Sequence, residues 1–146
     1  MKFIFTLGLL ISSSVIVAQD FKDSIDQIEV KLETCLSDSA TTFAAASRVC
    51  TLDAMEELIG LIGKIHGALQ KEVNELGKQK MNDSQEAWIK YFEKESLTIY
   101  HMREEKIGSL YLNIQINDRY ELALNRAQHL ANTLWLYQNS TEDKFE

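Results

Sequence analysis

Three histidines, two cysteines and several paired carboxylates are the side chains of this sequence whose types invite chemistry. His101 is followed by Glu104 and Glu105, a grouping able to hold a metal ion, whereas His66 lies beside an apolar helical stripe and reads as a packed or half-exposed helix residue. A di-iron bundle requires glutamate three residues ahead of histidine. Those positions hold Gly63, Thr98 and Arg126, ahead of His66, His101 and His129. The HExxH zinc helix, the Gly-rich phosphate loop and the GxSxG nucleophile elbow are absent too. Glu56-Glu57 and Glu104-Glu105 stand among charges of both signs and read as solvated faces. No catalytic residue, metal ligand or cofactor is therefore assigned, and the expected protein binds something rather than catalysing a reaction.

Cys35 and Cys50 remain. A redox or metal-binding pair would need a CxxC spacing or a nearby histidine, and neither is present. An even number of cysteines in an exported chain reads as a structural disulfide. Closing a loop of this length contributes about 3 kcal/mol.

Export is expected from the N-terminus. Met1-Lys2 gives a positive start, Phe3 to Ile11 an apolar run, and the segment from Ser12 supplies small residues ending in Ala18, a suitable cleavage position before Gln19. The competing reading is a membrane anchor, but an apolar stretch of about 16 residues is short for a span of roughly 20, and no charged stop-transfer cluster follows. The expected organisation is a signal peptide over 1–18, one helical domain over 19–138 and a polar tail over 139–146, in a periplasmic or secreted protein whose mature chain does not span a membrane. Removing residues 1–18 takes away Lys2 and no acid, so the formal charge moves from -7 to -8. Such a surface disfavours nucleic acid and anionic membrane and leaves basic proteins or cations as electrostatically suited partners.

The elements that would carry any site are helices, because the chain has no proline and its apolar residues recur at helical spacing nearly throughout. Phe21, Ile25, Ile28, Leu32 and Cys35 form one stripe. Residues 37–47 are small and polar and read as a loop with partial helical structure. Thr51 or Asp53 is expected to cap a second helix with the stripe Met55, Leu58, Ile62, Ile65, Leu69, Val73 and Leu76, ended by Gly77 and the lysines after it. Gly60, Gly63 and Gly67 inside it call for an explanation, either close approach of another helix or a hinge. Asp83 with Glu86 makes an acidic capping box for a third helix with the stripe Trp88, Phe92, Ile99 and Met102. A last helix, from about Ser109 to Tyr137, carries Tyr120, Leu124, Ala127, Ala131 and Leu134 at coiled-coil-like spacing. The fold class is all-α: a small antiparallel bundle, or a long helical hairpin with a shorter N-terminal helix tied by the disulfide.

The segment Ser84-Gln85-Glu86-Ala87-Trp88-Ile89-Lys90-Tyr91-Phe92-Glu93-Lys94-Glu95-Ser96 resembles the signature helix of the bacterial lysozyme-inhibitor LprI-type domain family, a pattern of the form SQRAWIxYRDAEC. Ser84, Gln85, Ala87, Trp88, Ile89, Tyr91 and Glu95 match. Glu86 and Phe92 stand where that pattern has arginine, and Ser96 where it has cysteine. Cys35 and Cys50 resemble the family's first cysteine pair, and Gly108-Ser109 with the helix containing Arg126 and Leu130 resembles its final segment without the second pair.

The resemblance implies a small exported helical domain, with lysozyme inhibition described for some members. Animal-type lysozyme is basic, so an acidic partner suits it electrostatically. The departures at Glu86 and Phe92 alter the charge of the signature helix, and no inhibitory residue carries over. The candidate partner surface is Glu86, Tyr91 and Glu93 on that helix. Trp88 falls on the core stripe and reads as structural. A cell-envelope interaction domain without inhibitory activity is the alternative, and the sequence leaves the oligomeric state open.

Overall fold

The computed structural model of the chain describes residues 14–38, 44–104 and 109–140. The described residues form helices α1 (Ser14–Ser37), α2 (Ala44–Glu72), α3 (Glu75–Glu104) and α4 (Ser109–Asn139). The expected signal peptide lies outside them up to residue 13, and its expected cleavage point after Ala18 falls inside α1. The expected tail lies outside from residue 141 on. Among the described residues no helix is long and apolar enough to cross a membrane.

Cross-helix contacts fix the directions. Arg48 and Ser47 at the start of α2 share hydrogen bonds with Asn113 near the start of α4, and Glu72 at the end of α2 accepts from Gln138 near the end of α4. The two helices therefore run parallel. α1 runs against them: its end is tied to the start of α2 by the Cys35–Cys50 bond, with Cα atoms 5.9 Å apart, and Lys22 near its start lies over the Trp135 ring near the end of α4. α3 also runs against them, since His66 and Gln70 of α2 contact Met81 and Asn82, while Gln115 of α4 donates to the Tyr100 carbonyl. The result is an up-down-up-down bundle, as the sequence predicts.

The core is built by three of the four helices. Ile25, Ile28 and Leu32 of α1, Met55, Leu58, Ile62, Ile65 and Leu69 of α2, and Tyr120, Leu124, Ala127, Leu130 and Leu134 of α4 are buried, all at i, i+3 or i+4 spacings within their helix. Each large apolar side chain so buried contributes about 1.5–3 kcal/mol. Among its described side chains α3 adds no fully buried one; Met81, Trp88 and Phe92 pack against the core while partly open to solvent. Met102, expected on the α3 stripe, is 76% exposed.

Several expected boundaries move. α2 begins before Cys50, because Ala44-Ala45-Ala46 is strong helix-forming sequence. Thr51 and Asp53 are thus interior residues and cap nothing; the Thr51 hydroxyl donates to the Ser47 carbonyl one turn back. α2 ends at Glu72, which leaves Val73 beyond it and Leu76 exposed. Asn74 makes the new start: its side-chain oxygen accepts from the Gly77 N–H at 2.9 Å and its carbonyl from the Lys78 N–H at 2.9 Å, an N-cap that outcompetes the expected one. Asp83 is consequently an interior α3 residue, 4.0 Å from Lys80.

The glycines divide in an unexpected way. A Cβ built at Gly60, Gly63 or Gly67 meets nothing within 4 Å, so close helix approach does not explain them, and α2 runs unbroken through all three. The small residues that line the core are alanines: Ala18 of α1, Ala54 of α2 and, most numerous, Ala123, Ala127 and Ala131 of α4. Gly77 is the glycine that space demands, because a Cβ there would lie 2.8 Å from the Val73 Cβ across the α2–α3 corner. Gly60→Ala and Gly63→Ala should each raise unfolding free energy by up to about 1 kcal/mol. Gly77→Ala should lower it by about 1 kcal/mol or more through overpacking. Urea denaturation of the three variants checks both signs.

A second prediction concerns Tyr120, buried between α1 and α4. Burial, with the negative charges of Glu29, Glu121 and Glu33, pushes its phenol up to about 12. Folding thus favours the neutral phenol. Its contribution is complete below the usual tyrosine range near 10 and is lost as pH rises towards about 12. A spectrophotometric titration should show one late-ionising tyrosine, removed by Tyr120→Phe, with stability falling across that window in the parent protein only.

Candidate functional site

α3 is fastened to α4 by a polar and aromatic clasp where a stripe of apolar side chains would ordinarily serve. The Gln85 side-chain oxygen accepts from the Arg126 guanidinium at 2.9 Å through Nη2 and at 3.3 Å through Nε. The guanidinium carbon lies 5.6 Å from the centroid of the Trp88 ring, which in turn stacks on Phe92 at 5.2 Å. Gln85, Trp88 and Phe92 reach one neighbour together because they are spaced by three and four residues on α3. Arg126 is half-buried, and that burial pulls its pKa down from the usual arginine value. Among the described residues no carboxylate pairs with it.

Beside the clasp is a cleft of about 220 Å³ where the end of α2, the start of α3 and the end of α4 meet. Four basic-type side chains line it: His66, Lys80, Arg126 and His129. Leu69, Met81 and Leu130 form its apolar wall, and Ser84, Thr133 and Tyr137 add hydroxyl groups. Among the described residues no aspartate or glutamate lines it, in a chain with a net charge of -7. The imidazole of His66 approaches the Met81 carbonyl at 3.4 Å, and Gln70 bonds Asn82, so α2 and α3 hold this corner together.

The residues singled out from the sequence fall into two groups. Gln85 and Trp88 belong to the clasp, whereas Ala87 is exposed and Ile89 and Tyr91 are 44% and 50% exposed. Glu86 and Glu93 are exposed and, seven residues apart, share one outer face of α3 with Leu97; Tyr91 points to a different flank. The three proposed surface residues are therefore not one patch. His101 sits exposed near the far end of α3 with Tyr100 edge-on at 5.3 Å, away from His66 and His129, and Glu105 lies outside the described residues. Among the described residues no group of three or more His, Cys, Asp or Glu is placed to hold a metal ion. Lys80 is not legible as a site residue in the sequence, because the stretch around it reads as the end of a helix. Its partner signal, Arg126 with His129 and Thr133 on one face of the last helix, is visible in the spacing once that face is separated from the core stripe.

Comparison with protein-family models, with curated proteins and with solved structures gives no match.

If the clasp positions α3, removing its acceptor should cost stability while the outer face tolerates change. Gln85→Leu, which leaves the half-buried guanidinium without its hydrogen bonds, should lower unfolding free energy by about 1–2 kcal/mol. Glu86→Gln and Glu93→Gln should stay within about 0.5 kcal/mol of the parent. Chemical denaturation of the three variants separates the two roles.

Proposed function

We propose that this chain is an exported, non-enzymatic binding protein related to the LprI-type lysozyme inhibitors, acting on a lysozyme or a similar cell-wall hydrolase through the outer face of α3. One observation carries the reading. Gln85 and Trp88, two of the residues on which the resemblance rests, fasten α3 to α4, so the rest of the signature is held rigidly with Glu86, Glu93 and Leu97 turned outward. A rigid helix that presents carboxylates around an exposed apolar side chain suits a basic protein surface, where charge speeds encounter and the apolar contact slows release. The Cys35–Cys50 bond fits an oxidising compartment.

The test is the activity of several basic lysozymes on cell-wall substrate, with and without the purified, oxidised protein, at low and moderate salt. Dose-dependent inhibition that weakens as salt rises is expected. The double variant E86K/E93K should need at least about tenfold more protein for half-inhibition, and Tyr91→Ala, on the other flank, should change it little. Absence of inhibition of every lysozyme, with the disulfide intact, would overturn the reading in favour of an envelope-binding domain with another partner.

A further inference from the structure

We propose that the cleft between α2, α3 and α4 binds a small organic oxyanion, with its charged group among Arg126, Lys80, His66 and His129 and its apolar body against Met81 and Leu130. Three independent features point there. First, the lining concentrates basic side chains in an acidic protein and, among the described residues, contains no carboxylate. Of the acids on the same helices, Asp83 contacts Lys80 at 4.0 Å from outside the lining, and Glu72 is engaged by Gln138. Second, Arg126 is a half-buried cation whose hydrogen bonds run to the neutral carbonyl oxygen of Gln85, with no carboxylate paired to it among the described residues. A charge drawn out of water without a counter-charge is costly, and a bound anion would supply one. Third, one wall is apolar, which a bare inorganic ion has no use for and an organic acid does.

The size narrows the class. A cleft of about 220 Å³ lies below the range of about 300–1,000 Å³ usual for drug-sized ligands. It suits a small carboxylic acid or a monophosphate ester with a short apolar portion. Both present the same oxyanion chemistry to a guanidinium, which can donate to two oxygens at once. Ser84 and Thr133 add hydroxyl groups to the lining, that of Thr133 donating to the His129 carbonyl at 2.9 Å. The assignment is independent of any lysozyme contact, because the cleft and the Glu86–Glu93 face are different surfaces of α3.

Amide-resolved NMR titration of the full, oxidised protein at low salt tests it, with benzoate, hexanoate, phenyl phosphate and inorganic phosphate as probes and benzyl alcohol as the neutral control. Saturable shifts confined to the neighbourhoods of residues 80–84 and 126–133 are expected with the organic anions and not with benzyl alcohol. The stronger of benzoate and phenyl phosphate identifies which oxyanion the site prefers. Arg126→Gln should weaken binding by about tenfold, while Lys31→Gln, on the α1–α2 side, leaves it unchanged. Should Arg126→Gln fail to fold, K80Q/H129Q removes two exposed basic side chains of the cleft without touching the clasp and should still weaken binding severalfold. No saturable shift with any organic anion, equal shifts with benzyl alcohol, or saturation by inorganic phosphate alone would each overturn the assignment.

Discussion

The parallel alignment of α2 with α4 is the constraint from which the rest of the fold follows. α2 offers four fully buried large side chains, Leu58, Ile62, Ile65 and Leu69, and α4 brings fully buried alanines at 123, 127 and 131 with Leu134 at their end. Bulky side chains on one helix and small ones on the other let their axes come close with little void. Parallel neighbours cannot be joined by a tight turn. The 29 residues of α2 span about 44 Å at the usual helical rise of 1.5 Å per residue, and the chain must cover that distance again before α4 begins. α3, with 30 residues, is the return path.

That origin explains why α3 is so unlike the other helices. Its course is set by the need to connect, and α1 already covers the α2–α4 seam on another side with Ile25, Ile28 and Leu32. Among the described side chains α3 therefore contributes no fully buried one and relies on Met81, Trp88 and Phe92 for apolar contact. Gln85 and Arg126 complete the attachment. A polar clasp of this kind adds less free energy than a buried stripe but fixes rotation, because hydrogen-bond geometry is directional where apolar contact is not. The rotation so fixed determines which residues of α3 meet solvent. It also leaves a gap at the α2–α3 corner, where Gly77 makes room for Val73 and the basic side chains of three helices converge.

Charge is distributed accordingly. Carboxylates lie on the outer faces and on the α1–α4 side, where Asp26, Glu33 and Glu121 raise the pKa of Glu29, whose own burial is the largest cause. The basic cleft lies on the opposite side of α4, and its basic side chains come from residues dispersed over more than sixty positions of sequence. An acidic net charge thus coexists with a local field of the other sign, and the two surfaces suit different ligands.

The sequence by itself determined the helical class, the disulfide pairing, and the core stripes of α1, α2 and α4, because a 3.6-residue apolar period and a lone cysteine pair each admit essentially one arrangement. It misplaced two helix starts, that of α2, where Thr51 and Asp53 read as caps, and that of α3, where Asp83 does, because local chemistry does not rank one capping residue above another. The extra alanines before Cys50 and the tight Gly77–Val73 approach decided between them. Tertiary structure alone decided that α2 packs chiefly against α4 and only slightly against α3, that the glycines of α2 are not sites of close helix approach, and that Gln85 meets Arg126. The site was equally hidden. His66, Lys80 and Arg126 lie on three helices, and a periodic pattern reports which face of a helix is buried without reporting which other helix it faces.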